Sequence, residues 1–187
     1  MDEGSEMNLL QLSAGVSVVD IENALSHGDL EGIRISPSLP PHSVARLITK
    51  MRASAYGSVF VEFLVSQPID DGGVWRAVLE DPVDTNVAMT ALANPMLPQD
   101  EVARLLDHPS SQVQGHAVLA QLRHQLPRLG EAELNLLLDA NGGDHGVSLG
   151  VRYLVARSSN TPRSILLRLA DDDADFIAED ARRRLVK

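Results

Sequence analysis

The sequence predicts an all-α fold, and within that class an α-solenoid of about five stacked helix pairs. Apolar residues recur at helical spacing, and aromatic residues make up only 3% of the 187 residues. Similar segments also return about every 30 residues. With 44% hydrophobic residues, the chain has enough apolar side chains to form a packed core.

The chain begins with a segment that differs from the rest. Residues 1–17 predict either an N-terminal arm or a capping helix, and residues 18–187 predict a single helical-repeat domain. The apolar cluster at 7–12 is typical of a capping helix, whereas the small residues at 13–15 interrupt its pattern. The sequence leaves both alternatives open.

An internal repeat is the strongest feature of the remaining chain. Residues 39–48 match residues 97–106 at an offset of 58, or two units of 29. Similar copies lie around Trp75 and at 161–170, while 129–138 keeps the leucine pattern without its arginine. A helix pair of this length cannot bury its apolar face alone, so we expect the copies to stack.

Each repeat predicts two helices. Proline opens the first helix, where its missing N–H is least costly, and an acidic or proline-containing turn ends it. The second helices are predicted at 84–93, 111–124, 145–156 and 174–185. One stretch, 58–65, is rich in β-branched residues, and we interpret it as a fully buried helix because no partner strand is evident.

Two stretches carry an Asn-Pro or Asn-Thr-Pro turn ahead of a leucine-rich helix, at 94–95 and at 160–162. On these turns, residues 87–113 and 150–177 resemble the leucine-rich repeat variant and HEAT-like helical repeat families of bacteria. The resemblance implies a binding scaffold whose motif residues are structural. Some variant-repeat proteins hold an iron–sulfur cluster, but this chain has no cysteine, so no cofactor is expected.

Charge is distributed unevenly along the chain, whose net charge is −10. Residues 1–35 and 70–109 each carry −6, whereas 36–69 and 110–168 each carry +2. This balance argues against nucleic acid as a partner, because phosphate binding needs clustered Lys and Arg. No apolar run reaches the ~20 residues of a membrane span, and the N-terminus is acidic, so we expect a cytoplasmic protein without membrane association.

The acids of residues 70–109 form a candidate surface for a protein partner with a basic surface. They are Asp70, Asp71, Glu80, Asp81, Asp84, Asp100, Glu101 and Asp107. The alternative interpretation of this charge is ordinary solubility, and some turn acids are expected to cap the helices that follow them.

A second candidate set consists of Arg46, Arg76, Arg104 and Arg168, which recur in phase and are predicted to line one ridge. Such a ridge suits anions or a carboxylate-rich peptide. Alternatively, each arginine pairs with a turn acid of the neighbouring unit, or lays its stem over the core.

Two further patterns resemble metal sites but are incomplete. Asp171, Asp173 and Asp175 have the spacing that opens an EF-hand loop, yet Phe176 and Arg182 occupy the positions that need Gly and Glu. We therefore favour a solvated turn that caps a helix. His116 and His124 lie eight residues apart, and two histidines alone do not complete a zinc site.

The loop containing Asp144 and His145 pairs an acid with a base, but a long turn between helices is the favoured interpretation. No catalytic residue, metal or cofactor is therefore predicted. The expected function is a non-enzymatic protein-binding scaffold, in a concrete version an acidic, immunity-type inhibitor of a basic toxin or nuclease. The alternatives are a structural adaptor or homo-oligomer, and a HEAT-like alkyl-base DNA glycosylase. A monomer or weak dimer is expected.

Overall fold

The predicted all-α class is confirmed by a computed structural model, which describes residues 10–12, 18–26, 33–35, 41–80, 84–143 and 146–186. These residues contain eleven α-helices and one short pair of strands. In chain order the elements are β1 Leu10–Leu12, α1 Val18–Ser26, β2 Ile33–Ile35, α2 Pro41–Arg52, α3 Gly57–Ser66, α4 Gly72–Val78, α5 Thr85–Ala93, α6 Gln99–Leu105, α7 Ser111–Gln125, a 3-10 turn Leu126–Arg128, α8 Glu131–Ala140, α9 Gly146–Arg157, α10 Arg163–Leu169 and α11 Asp175–Leu185. Over the described ranges, no helix combines the length and apolar character needed to cross a membrane.

The chain divides into two compact units, Met1–Glu101 and Val102–Lys187. The boundary falls inside α6. Each unit has its own buried side chains, and each is described separately below.

The first unit begins with two short strands that the sequence did not predict. β1 and β2 pair in parallel, with Leu10 opposite Ile33 and Leu12 opposite Ile35. The helix α1 connects them and contacts β1. Both strands alternate apolar, polar and apolar residues, as Leu-Gln-Leu and Ile-Arg-Ile, but three residues are too few to distinguish a strand from a loop by this pattern.

Helices α2 to α5 form the core of the first unit. The helix α2 packs on α3 and α4, and α3 packs on α5. Trp75 and Phe60 are fully buried among them, and the indole N–H of Trp75 donates to the carbonyl of Ile69 at 3.0 Å. The turn between α2 and α3 is tight, because a Cβ on Gly57 would lie 2.5 Å from the carbonyl oxygen of Met51.

The helix predicted at 58–65 is confirmed as α3, but its predicted full burial is wrong. Phe60 and Leu64 are fully buried, whereas Val59 is 47% exposed and Glu62 is exposed. A continuous apolar run indicates burial on all sides only when neighbours surround the helix. Here the packed elements cover one face.

In the second unit, α10 packs against α11, and several helices also pack on the next helix but one. The helix α9 lies between α7 and α11, and α8 packs on α10. The cluster of buried residues between these two rows is mainly aliphatic and includes Leu138, Val155, Leu166 and Ile177. The predicted second helices are confirmed, since the structure places them at 85–93, 111–125, 146–157 and 175–185.

Side chains also connect each turn to the turn before it. Asn94, 7% exposed, donates from Nδ2 to the carbonyls of Val65 at 2.7 Å and Gln67 at 2.8 Å. Asn160 donates in the same way to the carbonyl of Pro127 at 3.2 Å. Both asparagines belong to the turns on which the family resemblance rests. Each therefore ties its own turn to the chain roughly one repeat earlier.

Arginines satisfy carbonyls at two helix ends of the second unit. Arg184 donates from Nη1 to the carbonyl of Ala156 at 2.7 Å, at the end of α9. Arg163 donates to the carbonyl of Leu185 at 3.1 Å, at the end of α11. A cation at a helix C-terminus satisfies free carbonyls and complements the helix dipole, so these arginines fix the C-terminal helices to one another.

Candidate functional site

The predicted acidic surface is only partly available to a partner. Asp70, Glu80 and Asp100 are exposed in the first unit, and Asp107 is exposed in the second. Asp81 lies outside the described residues. Three of these four acids therefore lie in the first compact unit.

The other three acids have structural partners. Asp71 caps α4 by accepting hydrogen bonds from the amides of Gly73 and Val74, at 2.8 and 3.0 Å. Asp84 caps α5 through the amide of Val87 at 3.1 Å. Caps of this kind stabilise a helix by about 1 kcal/mol each.

Glu101 has a buried side chain, 2% exposed, and its Oε1 lies 3.8 Å from Nε of Arg76. Its carboxylate thus faces the protein interior. Of the candidate acids in the first unit, Asp70, Glu80 and Asp100 are therefore the described ones that are exposed and cap neither α4 nor α5.

All four ridge arginines are exposed. Arg168 donates to Asp139 Oδ1 at 2.6 Å and to Asn135 Oδ1 at 3.1 Å, both on α8. This contact agrees with the alternative in which a ridge arginine pairs with a turn acid of the neighbouring unit. Leu136 of α8 occupies the position that the arginine has in the similar segments, and it is 69% exposed.

The patterns that resembled metal sites do not assemble one. Within the described part of the chain, no group of three or more His, Asp and Glu side chains is placed to hold a metal ion. Asp172, between the three spaced acids, accepts a hydrogen bond from the amide of Ala174 at 2.9 Å, in the turn before α11. His116 is exposed with Nδ1 3.1 Å from the carbonyl of Gln112. Asp144 and His145 lie outside the described residues.

Among the described residues, α7 and α9 form a groove in the second unit, here named the α7–α9 groove. It has an open volume of about 480 Å³. Residues between 111 and 119 of α7 form one wall, residues between 146 and 153 of α9 form the other, and Phe176 of α11 closes one end. The walls are mainly aliphatic and aromatic, with Leu119, Val147 and Tyr153 among them.

Glycines allow the two walls to approach closely. A Cβ on Gly115 would lie 3.0 Å from Val147, and a Cβ on Gly150 would lie 2.5 Å from Leu119. Because these contacts follow one another along both helices, α7 and α9 run side by side in the same direction. At the start of α9, Gly146 has a φ of +58°, which favours glycine.

Two aromatic rings mark the far end of the α7–α9 groove. Tyr153 and Phe176 are the only aromatic residues after Trp75 in the sequence. Their ring centroids are 5.6 Å apart at an interplanar angle of 60°, a tilted arrangement typical of aromatic pairs. Phe176 is 48% exposed. An exposed phenylalanine beside an apolar groove is typical of a protein contact surface.

An arginine adjoins this aromatic pair. The guanidinium carbon of Arg157 lies 5.3 Å from the Tyr153 ring centroid, and Arg157 donates to the Tyr153 hydroxyl. That hydrogen bond, and then the charge of Asp180, raise the pKa of Arg157 above its ordinary value. Asp180 lies 3.9 Å away, and the Arg157 side chain is 62% exposed. A fixed cation therefore adjoins the apolar surface.

A buried ion pair holds the base of α9. Arg152 and Asp172 have side chains that are each 7% exposed, with Nε 2.8 Å from Oδ2. Arg152 also donates to the carbonyls of Asn141, at 3.0 Å, and Gly143. The Arg152 side chain thus joins α9 to the turn after α8 and to the turn before α11.

The sequence analysis predicted neither the α7–α9 groove nor the Arg152 pair. A lone arginine within the apolar run of α9 is the one signal that pointed to a buried ion pair. With this geometry established, comparison with known proteins adds no relative: no protein-family model, curated protein or solved structure matches the chain.

Proposed function

We propose that the chain is a non-enzymatic helical-repeat scaffold that binds another protein through the α7–α9 groove. The observation that carries the proposal is the half-exposed Phe176 beside Tyr153 at the end of an apolar groove. Monomeric proteins rarely leave such a surface open, and aromatic residues are enriched where proteins meet.

Three observations support the repeat architecture in this proposal. The helices of the second unit pack in two alternating rows. Asn94 and Asn160 each bond to a turn roughly one repeat earlier. The ridge positions remain exposed on every second helix, α2, α4, α6, α8 and α10. Together these features favour a stack of helix pairs of the HEAT-like or leucine-rich repeat variant type.

The experiment compares partners captured by the wild type and by two variants from a lysate of the cell that makes the protein. Phe176→Ser removes the aromatic anchor. Leu136→Ser is the matched control, since Leu136 is 69% exposed on α8, away from the groove. We expect the partner to be lost with Phe176→Ser and kept with Leu136→Ser. Equal capture by all three chains refutes this site.

A second candidate function is the acidic inhibitor of a basic toxin or nuclease. Exposed Asp70, Glu80 and Asp100 in the first unit favour it. The variant with Asn or Gln at these positions removes three charges without touching the caps at Asp71 and Asp84. We expect this variant to bind a basic partner more weakly than the wild type does at low salt.

The matched control for this variant neutralises Asp171, Asp173 and Asp175, which are equally exposed but lie in the second unit. A salt titration separates the two candidates. Binding through the acids falls steeply between about 0.05 and 0.5 M NaCl, whereas binding through an apolar groove changes little.

A further inference from the structure

We infer that the α7–α9 groove binds an amphipathic helix of another protein, one with a row of aliphatic side chains flanked by acidic residues. The inference rests on the proposed function and names the occupant of the same groove.

The length of the groove fits two turns of helix. Lining residues of α7 run from 111 to 119, and eight residues of rise correspond to about 12 Å. Apolar side chains at i, i+3 or i+4, and i+7 of a bound helix span about 10.5 Å. The open volume of about 480 Å³ lies within the range of protein binding sites. One row of such anchors therefore fills the groove.

The shape of the groove favours a helix over an extended strand. Two adjacent helices running in the same direction leave between them a furrow that a third helix can enter. The helix α9 already contacts α8 and α10 of its own chain. Gly115 and Gly150 let α7 and α9 approach each other closely, so a third helix at the usual interaxial distance of about 8–10 Å can contact both walls. No unpaired strand edge is offered by helical walls, which disfavours strand addition.

The charges around the groove select the polar face of the occupant. Although the chain carries −10, neither α7 nor α9 contains an Asp or Glu. His116 and Arg157 are exposed on these helices. The rim formed by α11 carries Asp175, Glu179 and Asp180. Asp175 is exposed, Glu179 pairs with Arg183 at 2.6 Å, and Asp180 lies 3.9 Å from Arg157. Acidic flanks that lie along α7 and α9, away from the α11 rim, therefore meet no carboxylate on these two walls, and Arg157, which Asp180 shares, is the exposed guanidinium on α9.

Phe176 is the anchor of this contact. Its ring is 48% exposed and is oriented by Tyr153, so it needs little ordering when a partner binds. Aromatic side chains held in this way are the positions where truncation most reduces affinity. We expect Phe176→Ser to weaken binding at least about tenfold.

The test is a displayed library of helical peptides with a fixed row of leucines and with Glu, Lys or Gln at each polar position. The full chain selects binders, and competition with Phe176→Ser and Leu136→Ser chains assigns them to the groove. We expect Phe176-dependent binders enriched in Glu. Amide shifts caused by a selected peptide should concentrate between 111 and 119 and between 146 and 153.

A charge variant tests the same inference without removing the anchor. His116→Glu places a carboxylate on the wall, and Gln125→Glu adds the same charge at an exposed position of α7 away from the lining. We expect His116→Glu, but not Gln125→Glu, to weaken the selected acidic peptide. Circular dichroism checks that each variant remains helical.

Three results overturn the inference. They are binders enriched in Lys, binders indifferent to Phe176→Ser, and a dimer of the chain itself that Phe176→Ser dissociates, because a second copy then fills the groove. Loss of a natural partner with Phe176→Ser, combined with no acidic binder, leaves the proposed function standing and refutes the occupant. Retention of the partner by Phe176→Ser refutes the proposed site itself.

Discussion

Replacing Arg152 with Met should cost about 3–5 kcal/mol of unfolding free energy. The wild-type guanidinium makes two contacts with Asp172, Nε to Oδ2 at 2.8 Å and Nη2 to Oδ1 at 3.3 Å. It also donates to the carbonyls of Asn141 and Gly143. Methionine has a similar length but donates nothing. The Asp172 carboxylate, which is 7% exposed, then loses both contacts with Arg152 and keeps the hydrogen bond that it accepts from the amide of Ala174.

A double-mutant cycle isolates the pair from the other contacts. Asp172→Asn keeps a side-chain oxygen that can accept from the amide of Ala174 but removes the charge. In the chain carrying both substitutions no buried charge is left unpaired, so the loss should be smaller than the sum of the single losses by about 2 kcal/mol. Urea unfolding followed by far-UV circular dichroism measures each free energy.

Arg168→Met is the matched control. Arg168 forms a shorter ion pair with Asp139, 2.6 Å, but the two side chains are 43% and 63% exposed. Water screens this pair, so its loss should cost less than about 1 kcal/mol. If Arg152→Met and Arg168→Met cost the same, or if the cycle is additive, burial does not set the strength of the Arg152 pair and the reasoning fails.

Three other substitutions have defined outcomes. Asn94→Ala should cost about 2–3 kcal/mol in urea unfolding, because two carbonyls lose their donor; a loss below about 0.5 kcal/mol contradicts this. Gly57→Ala should cost about 2 kcal/mol, since the added Cβ would lie 2.5 Å from a backbone oxygen, while Gly72→Ala has open space and should be neutral or stabilising. Burial, and then the charge of Arg123, lower the pKa of His124. The folded chain therefore resists a proton that the unfolded chain accepts, and stability falls as pH drops below about 6.5. His124→Gln should reduce this loss of unfolding free energy between about pH 7.5 and 5. An unfolding free energy that depends on pH as in the wild type contradicts this role of His124.

The helices predicted at 84–93, 111–124, 145–156 and 174–185 were predictable because local signals agree there. For α7, a proline-containing turn precedes the helix, aliphatic residues keep the helical period, and a second proline follows at its end. The prediction of 111–124 accordingly differs from Ser111–Gln125 by one residue. A segment as short as the three residues of β1 carries too few alternating positions to identify a strand.

The functions of individual acids were not predictable in the same way. A turn acid that caps the following helix and one that points to solvent occupy similar sequence contexts. Asp71 and Asp70 are neighbours, yet Asp71 caps α4 while Asp70 is exposed without such a role. The orientation of the carboxylate decides between these roles, and it depends on the backbone angles of one residue. A count of acids therefore overstates the surface that a partner can use.

The α7–α9 groove was hidden because its features belong to residues far apart in sequence. Gly115 and Gly150 lie on different helices, and either one alone resembles a weak point in a helix. Only their juxtaposition makes a furrow, and only packing of α11 against α9 brings Phe176 to its end.

Net charge likewise does not describe the surface of one site. Net charge is a sum over the chain, whereas a partner meets the local field within about one Debye length, roughly 8–10 Å. A chain of −10 can therefore present walls without a carboxylate, and the proposed acidic occupant is inferred from the placement of charges on α7 and α9 rather than from the net charge.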